Sequence, residues 1–307
     1  MALQKTLKDK VTFTGIGVHS GRETTVTLRP AEAGTGIVFH RVDLAPAVSI
    51  EAIAANVVNT RLSTTIGRGG ATVSTVEHLM AALASCGVDN AHVDIDGAEV
   101  PIMDGSAAPF VAAIRRAGVK ILSRPKKYLV VKKPVTVADG DKKVTIIPSR
   151  YFRISFDMRF NHPAVANQYL TMRFDEEGFA AAFAPARTFG FLAEVEMLKA
   201  NGLARGGSLE NAIVIGDDGV LNPEGLRFAD EFVRHKILDT VGDLTLAGYP
   251  ILGHVKATRS GHDMNHRLVT ELLAHTDCWK LVEFGERKGD QEVAIPLVVP
   301  DLAWSKG

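Results

Sequence analysis

Between Arg234 and Asp243, the residues His235, Asp239 and Asp243 recur every four positions, so a helix would carry them on one face. Such a face can present His and Asp together to a metal ion. Taken alone, H-x-x-x-D equally describes an ordinary i,i+4 polar pair on a solvated helix. The neighbours favour burial, because Phe232, Val233, Ile237, Leu238 and Val241 cover most of the circumference, and buried His and Asp need partners. Glu77-His78 is a second candidate, although Glu77 stands three residues after Ser74 and would also complete a capping box. Gly261-His262 is a third, at the start of another helical pattern, where a neutral imidazole can also pack without chemical purpose. Together the three make a constellation. His78, His235 and Asp239 supply the three nitrogen and oxygen ligands of a catalytic zinc site that keeps one position for water. Glu77 can then take a proton from that water, His262 can stabilise an oxyanion or protonate a leaving group, and Asp243 can hold His262 in its charged form. The chemistry is metal-assisted hydrolysis. His40, His92, His254, His266 and His275 read instead as surface or satisfied core residues.

Helices from distant parts of the chain must meet for this to work. The pattern predicts strands over Val11–Thr14, Glu23–Arg29 and Ile37–Phe39, a helix over 74–86, and a strand over Ala91–Ile95. A turn through Asp104-Gly-Ser106 and a helix carrying Phe110, Val111 and Ile114 follow. Ser123-Arg-Pro-Lys-Lys127 is short and basic, and reads as a linker. Beyond it the β-rich opening repeats: Tyr128–Val137 and Lys143–Pro148 as a hairpin, Phe152–Phe160 as a strand, then a helix over 229–242, a strand over Ile251–Thr258 and a helix from Asp263. His78 lies 26 residues before Asp104, and His235 lies 27 before His262, each pair bracketing the same order of elements. This is the mark of an internal duplication. The expected fold is α+β, with two similar layered domains at 1–122 and 128–307, each a sheet backed by two helices, and the active site between them.

Composition narrows the partners. The 307 residues carry 35 Lys plus Arg against 35 Asp plus Glu, so no global field gathers nucleic acid or an anionic membrane. Cys86 and Cys278 are the only cysteines, which excludes a Cys-based zinc cluster and suits a reducing compartment. With no apolar leader pattern and no apolar run of spanning length, a cytoplasmic location without stable membrane insertion is expected.

Six motifs in order carry a family resemblance: Thr14-Gly-Ile-Gly-Val-His-Ser-Gly21, Ser74-Thr-Val-Glu-His-Leu-Met80, Pro101-Ile-Met-Asp-Gly-Ser106, Ala186-Arg-Thr-Phe-Gly-Phe191, His235-Lys-Ile-Leu-Asp239 and Ser260-Gly-His262. From about residue 3 to about 300 the chain resembles the UDP-3-O-acyl-N-acetylglucosamine deacetylases of lipid A biosynthesis. The resemblance implies two domains with small inserts and a zinc site between them, with iron(II) as the alternative metal in the cell. It implies His78, His235 and Asp239 as metal ligands, Glu77 as base, and His262 as stabiliser and acid. It further implies Thr188 as donor to the oxyanion, Lys236 as a contact to the glucosamine or diphosphate, Phe160 as a contact to the uridine, and His19, Asp104 and Asp243 as support. The family's acyl passage maps to an insert near 191–215, with Phe191, Leu192, Val195 and Leu198 as candidate walls. Ser63 stands where some members have Cys, so no extra thiol-bound zinc is expected there. The implied substrate is a UDP-linked acylated amino sugar, the implied reaction is removal of its acetate in the committed step of the pathway, and a monomer is expected. Two other readings share parts of this pattern: a non-haem iron oxygenase, whose facial triad is also two His and a carboxylate, and a non-catalytic nucleotide-sugar binder fastened by its polar cluster.

Overall fold

The computed structural model describes residues 2–160, 162 and 165–284; the part of the expected second domain at 285–307 lies outside the described residues. Within them the fold is mixed α+β, with several sheets and six α-helices: α1 (Glu77–Ser85), α2 (Ala108–Ala117), α3 (Glu176–Ala182), α4 (Leu192–Ala200), α5 (Glu231–Thr245) and α6 (His262–Ala274).

Two five-stranded sheets dominate. In spatial order the first is Val11–Ile16, Glu23–Pro30, Ala91–Ile95, Ile37–Arg41 and Val48–Glu51, and the second is Val135–Asp139, Lys142–Ile147, His254–Thr258, Arg153–Met158 and Gln168–Arg173. In each, the last strand in the chain enters the middle, antiparallel to one hairpin and parallel to the first strand of the other. The duplication read from helix and histidine spacing therefore recurs in strand order and direction. Strand alternation builds both sheets: Thr24, Val26 and Leu28 turn inward, while Thr12 and Thr14 pair their hydroxyls with Thr27 and Thr25 on the outer face at 2.9 and 3.1 Å. Thr136 and Thr145 make the same pair in the second sheet at 2.9 Å.

Helix α2 packs on the first sheet and on α1, while α5 and α6 pack on the second. Helices α1 and α5 are buried around most of their circumference and cross each other. Gly242 makes the crossing possible, because a Cβ there would lie 2.0 Å from the backbone oxygen of Glu77. That approach sets the Glu77-His78 pair against the His235-Asp239 face.

Several local expectations change. Helix α1 starts at Glu77, not Ser74, and no side chain caps it. Ser74 follows the strand Ala71–Val73 and bonds Ala98 O through its hydroxyl at 3.2 Å, and the chain then turns through Thr75 at φ +58°, so the capping box does not form. The stretch 128–137 is two strands, since Pro134 has no N–H for a ladder: Lys127–Val131 pairs with Trp279–Glu283 and Ile251–Leu252, and Val135–Asp139 enters the second five-stranded sheet. The stretch 251–258 likewise divides at Gly253, where a Cβ would meet the Val131 side chain at 2.8 Å. Residues 123–125 of the expected linker end the strand Val119–Pro125, which pairs with Leu3–Leu7, and Lys127 begins the next strand. The segment expected as an insert leaves from Phe189–Phe191 and returns through Ile213–Gly216, neighbouring parallel strands, and carries α4 between them.

Candidate active site

The start of α1 and the middle of α5 bring together His78, His235 and Asp239, each about 97–98% buried (3%, 2% and 3% exposed). One ligand atom from each lies within 4.8 Å of the others. Nε2 of His78 and Nε2 of His235 stand 3.5 and 3.3 Å from the same oxygen, Asp239 Oδ1, with the two rings nearly perpendicular at 88°. Asp239 Oδ1 has no hydrogen-bond partner. A bare, buried carboxylate oxygen facing two imidazole nitrogens is costly unless a cation shares them, and two nitrogens with one carboxylate suit a divalent metal. The surroundings prepare two of the ligands, whereas His78 Nδ1 is buried without a hydrogen-bond partner. His235 Nδ1 lies 3.0 Å from Ala186 O; donating its proton there leaves Nε2 free to ligate. Burial holds His235 neutral, down at about 3. Burial pushes Asp239 up, but its polar and charged neighbours, with the Lys236 ammonium among them, outweigh it and keep the carboxyl well below its usual range. Lys236 Nζ donates to Asp239 Oδ2 at 2.8 Å and lies over the Phe189 ring, 5.6 Å from its centre. Burial works against its charge, but Asp239 wins and raises it.

Beside this group lies an acid–base set. Glu77 Oε2 accepts the Thr64 N–H at 3.0 Å, and Oε1 faces His262 Nε2 at 3.7 Å. Glu77 is thus released from the capping role that its sequence position also allowed. His262 opens α6, and its Nδ1 donates to Asp243 Oδ2 at 2.9 Å. Asp243 accepts also from Asn265 Nδ2 at 2.8 Å and from the Thr64 hydroxyl at 2.6 Å. Burial disfavours a charged His262, but Asp243 and Glu77 outweigh it and raise it to about 10. Burial pushes the Glu77 carboxyl up, against the pull of His262 and His78. A protonated histidine therefore stands against a buried, basic carboxylate.

The other expected residues have the following places. Thr188 is part-buried, two residues beyond Ala186, its backbone held by Gly105 O and Ile213 N at 2.8 Å each. Phe160 packs on Phe189 and Phe191, with ring centres 5.9 and 5.4 Å apart, and Phe189 in turn meets His235 edge-on at 6.2 Å. On α4, Val195 and Leu198 are half-buried and Leu192 is exposed; none of the helix is fully buried, so its apolar residues are not packed as core. Asp104 accepts from Arg227 and Ser106, at 3.0 and 2.8 Å. Sequence reading missed Thr64 and Asn265. Asn265, three residues after His262, had a legible helical spacing; Thr64 had no signal. It also missed the buried Arg187–Glu231 pair at 3.0 Å, which ties the segment carrying Ala186 and Thr188 to the first turn of α5. Of the histidines set aside, His40 and His92 bond each other at 2.9 Å, and His254 bonds Ser155 at 2.8 Å.

A family model for UDP-3-O-acyl N-acetylglycosamine deacetylase matches residues 4–274. The UDP-3-O-acyl-N-acetylglucosamine deacetylase of Citrifermentans bemidjiense is 70% identical over 304 residues, 99% of either chain. Those of Geotalea uraniireducens and Acidithiobacillus ferrooxidans are 66% identical over 304 residues, again 99% of either chain, and 49% identical over 300 residues, 97% of this chain and 99% of that one.

Proposed function

Because the chain belongs to the UDP-3-O-acyl-N-acetylglucosamine deacetylase family, we propose that it hydrolyses the acetamide of a UDP-linked, 3-O-acylated glucosamine in lipid A biosynthesis, with zinc held by His78, His235 and Asp239. The observation that carries the metal reading is the unpartnered Asp239 Oδ1, shared by two Nε2 atoms. Zinc in such a site supplies a Lewis acid for the carbonyl and makes water a nucleophile near neutral pH. Glu77 accepts the proton as the water oxygen bonds to the acetyl carbon. Thr188 donates to the oxyanion and protonated His262 stabilises it. As the C–N bond breaks, a proton passes from His262 or back from Glu77 to the nitrogen, and the amine and acetate separate. Lys236 holds Asp239 and approaches the glucosamine or diphosphate, Phe160 packs on the uridine, and His19 and Asp104 support the site. The insert near 191–215, through Phe191, Leu192, Val195 and Leu198, borders the acyl chain. The duplicated sheets support the division into domains at 1–122 and 128–307.

No helix among the described residues is long and apolar enough to cross a membrane. A monomer working in the cytoplasm on its nucleotide-linked substrate completes the reading.

Acetate release without oxygen uptake tests this reading: oxygen consumption without acetate favours the iron oxygenase, and tight binding of substrate without turnover favours the binder. The pH profile adds a finer prediction. His262 acts in its protonated form, so activity declines as pH rises through its value of about 10. Asp243→Asn removes a carboxylate that favours the charged ring, so that value falls and the basic limb moves to lower pH by about one to three units. An unchanged limb would sever the link between Asp243 and His262.

A further inference from the structure

Glu99 lies outside the metal group but is tied to both segments that serve it. It is 3% exposed, and its carboxylate accepts two consecutive backbone N–H groups, His19 to Oε1 and Ser20 to Oε2, each at 2.8 Å. The Thr75 hydroxyl donates to Oε1 as well, at 3.3 Å. The loop that carries His19 joins Val11–Ile16 to Glu23–Pro30 and closes on itself, with Gly17 N bonded to Arg22 O and Gly21 N to Gly17 O, both at 2.9 Å. A Cβ at Gly17 would lie 2.3 Å from Glu99 Oε2, so a larger residue there would push the carboxylate from its place. On its far side the loop accepts N–H bonds from Arg205 and Gly206, in the segment expected to border the acyl chain.

The other end of the link reaches α1. Ser74 N donates to Ala98 O at 2.9 Å and Val100 N to Ser74 O at 3.0 Å, so Glu99 runs beside Ser74. The next residue, Thr75, holds a left-handed φ of +58° that β-branched side chains rarely adopt, and Glu77 and His78 follow two and three residues later. Such a turn persists only where its surroundings fix it, and the hydrogen bond to Glu99 is one such constraint. His19 itself has a buried Nδ1 with no hydrogen-bond partner. Burial keeps its ring below the ordinary value against the pull of Glu99, and the positive charge of His262 acts in the same direction as burial.

We propose that Glu99 is a positioning residue for the deacetylation: it clamps the Gly17–Gly21 loop to the Thr75 turn, so that the half-buried His19 keeps its place with Nδ1 buried while Glu77 and His78 stay aimed at the metal site. The inference rests on the proposed hydrolytic reading. Glu99 touches no reacting atom; it acts through the loop and the turn.

Glu99→Gln keeps the volume but must point its amide N–H2 at one of the two backbone donors, which opens half of the clamp. With the metal-loaded full chain, kcat falls about tenfold or more while KM stays within about threefold and zinc content is unchanged, as for a misplaced rather than a missing group. The His19 titration, followed by NMR of the imidazole nitrogens, separates this from a charge effect. If the loop leaves its buried position, the His19 value rises toward its ordinary 6.5. If the loop stays and only the Glu99 charge is lost, the value falls further. Glu99→Asp keeps the charge but withdraws it by one methylene; it gives a smaller change in the same directions and carries the test if Glu99→Gln does not fold. Turnover within about twofold of wild type, a lower His19 value, or failure of both variants to fold would each overturn the proposal. Acetate release by the wild type and by Glu77→Gln is measured in parallel: a wild type that releases no acetate removes the hydrolytic reading itself, whereas an active wild type and an inactive Glu77→Gln beside a fully active Glu99→Gln remove this inference alone.

Discussion

Glu77→Gln lowers turnover by about 10² to 10⁴-fold, the range expected when a positioned general base is removed. The amide still fits the space and still accepts the Thr64 N–H, so folding is preserved. Zinc content stays at the wild-type level, because Glu77 is not among the three proposed ligands, and KM for the substrate changes little. The check is kcat and metal content measured on one preparation. A capping residue would behave in the opposite way, losing stability and keeping turnover, and α1 has no side-chain cap to lose. An active Glu77→Gln would move the base to another group.

His235→Ala has the larger effect, since it removes a ligand and the catalysis that depends on it. Two of the three ligands remain, and metal is lost from the purified protein or exchanges readily. Without the Lewis acid, water keeps its bulk pKa of about 15.7 in place of about 7, and turnover falls by about 10³-fold or more. Elemental analysis of the dialysed protein reads the first effect, and acetate release reads the second. Full zinc occupancy in His235→Ala would reject this ligand set. Ala186→Pro is not an equivalent test, because the Ala186 carbonyl that orients His235 would survive.

Much of this centre was legible because its residues sit on helices at regular spacing. His235, Asp239 and Asp243 share a face by period alone, and the apolar residues around them announced a buried helix. The repeated order of helix, strand and helix in the two halves anticipated the matching sheets. Other features depend on contacts between distant segments and leave no local mark. Ser74 and Glu77 have the spacing of a capping box, yet Ser74 is drawn to Ala98 and Glu99 and the helix starts without it. Gly242 would ordinarily count as a weak point in a helix, and only the crossing with α1 gives it a purpose. Thr64 reaches both Glu77 and Asp243 from a loop with no periodic pattern. The strand expected over Tyr128–Val137 overlooked Pro134, whose missing N–H was the signal for a break, whereas the division at Gly253 follows from the close approach of Val131.

The central claim is that a divalent metal held by His78, His235 and Asp239 supports amide hydrolysis. Its most direct measurement is acetate release from UDP-3-O-acyl-N-acetylglucosamine by the purified protein as isolated, after exhaustive chelation, and after one equivalent of zinc is restored. The account predicts release, its loss on chelation, and its return with zinc in the wild type but not in His235→Ala. Undiminished acetate release from the metal-free protein would contradict it.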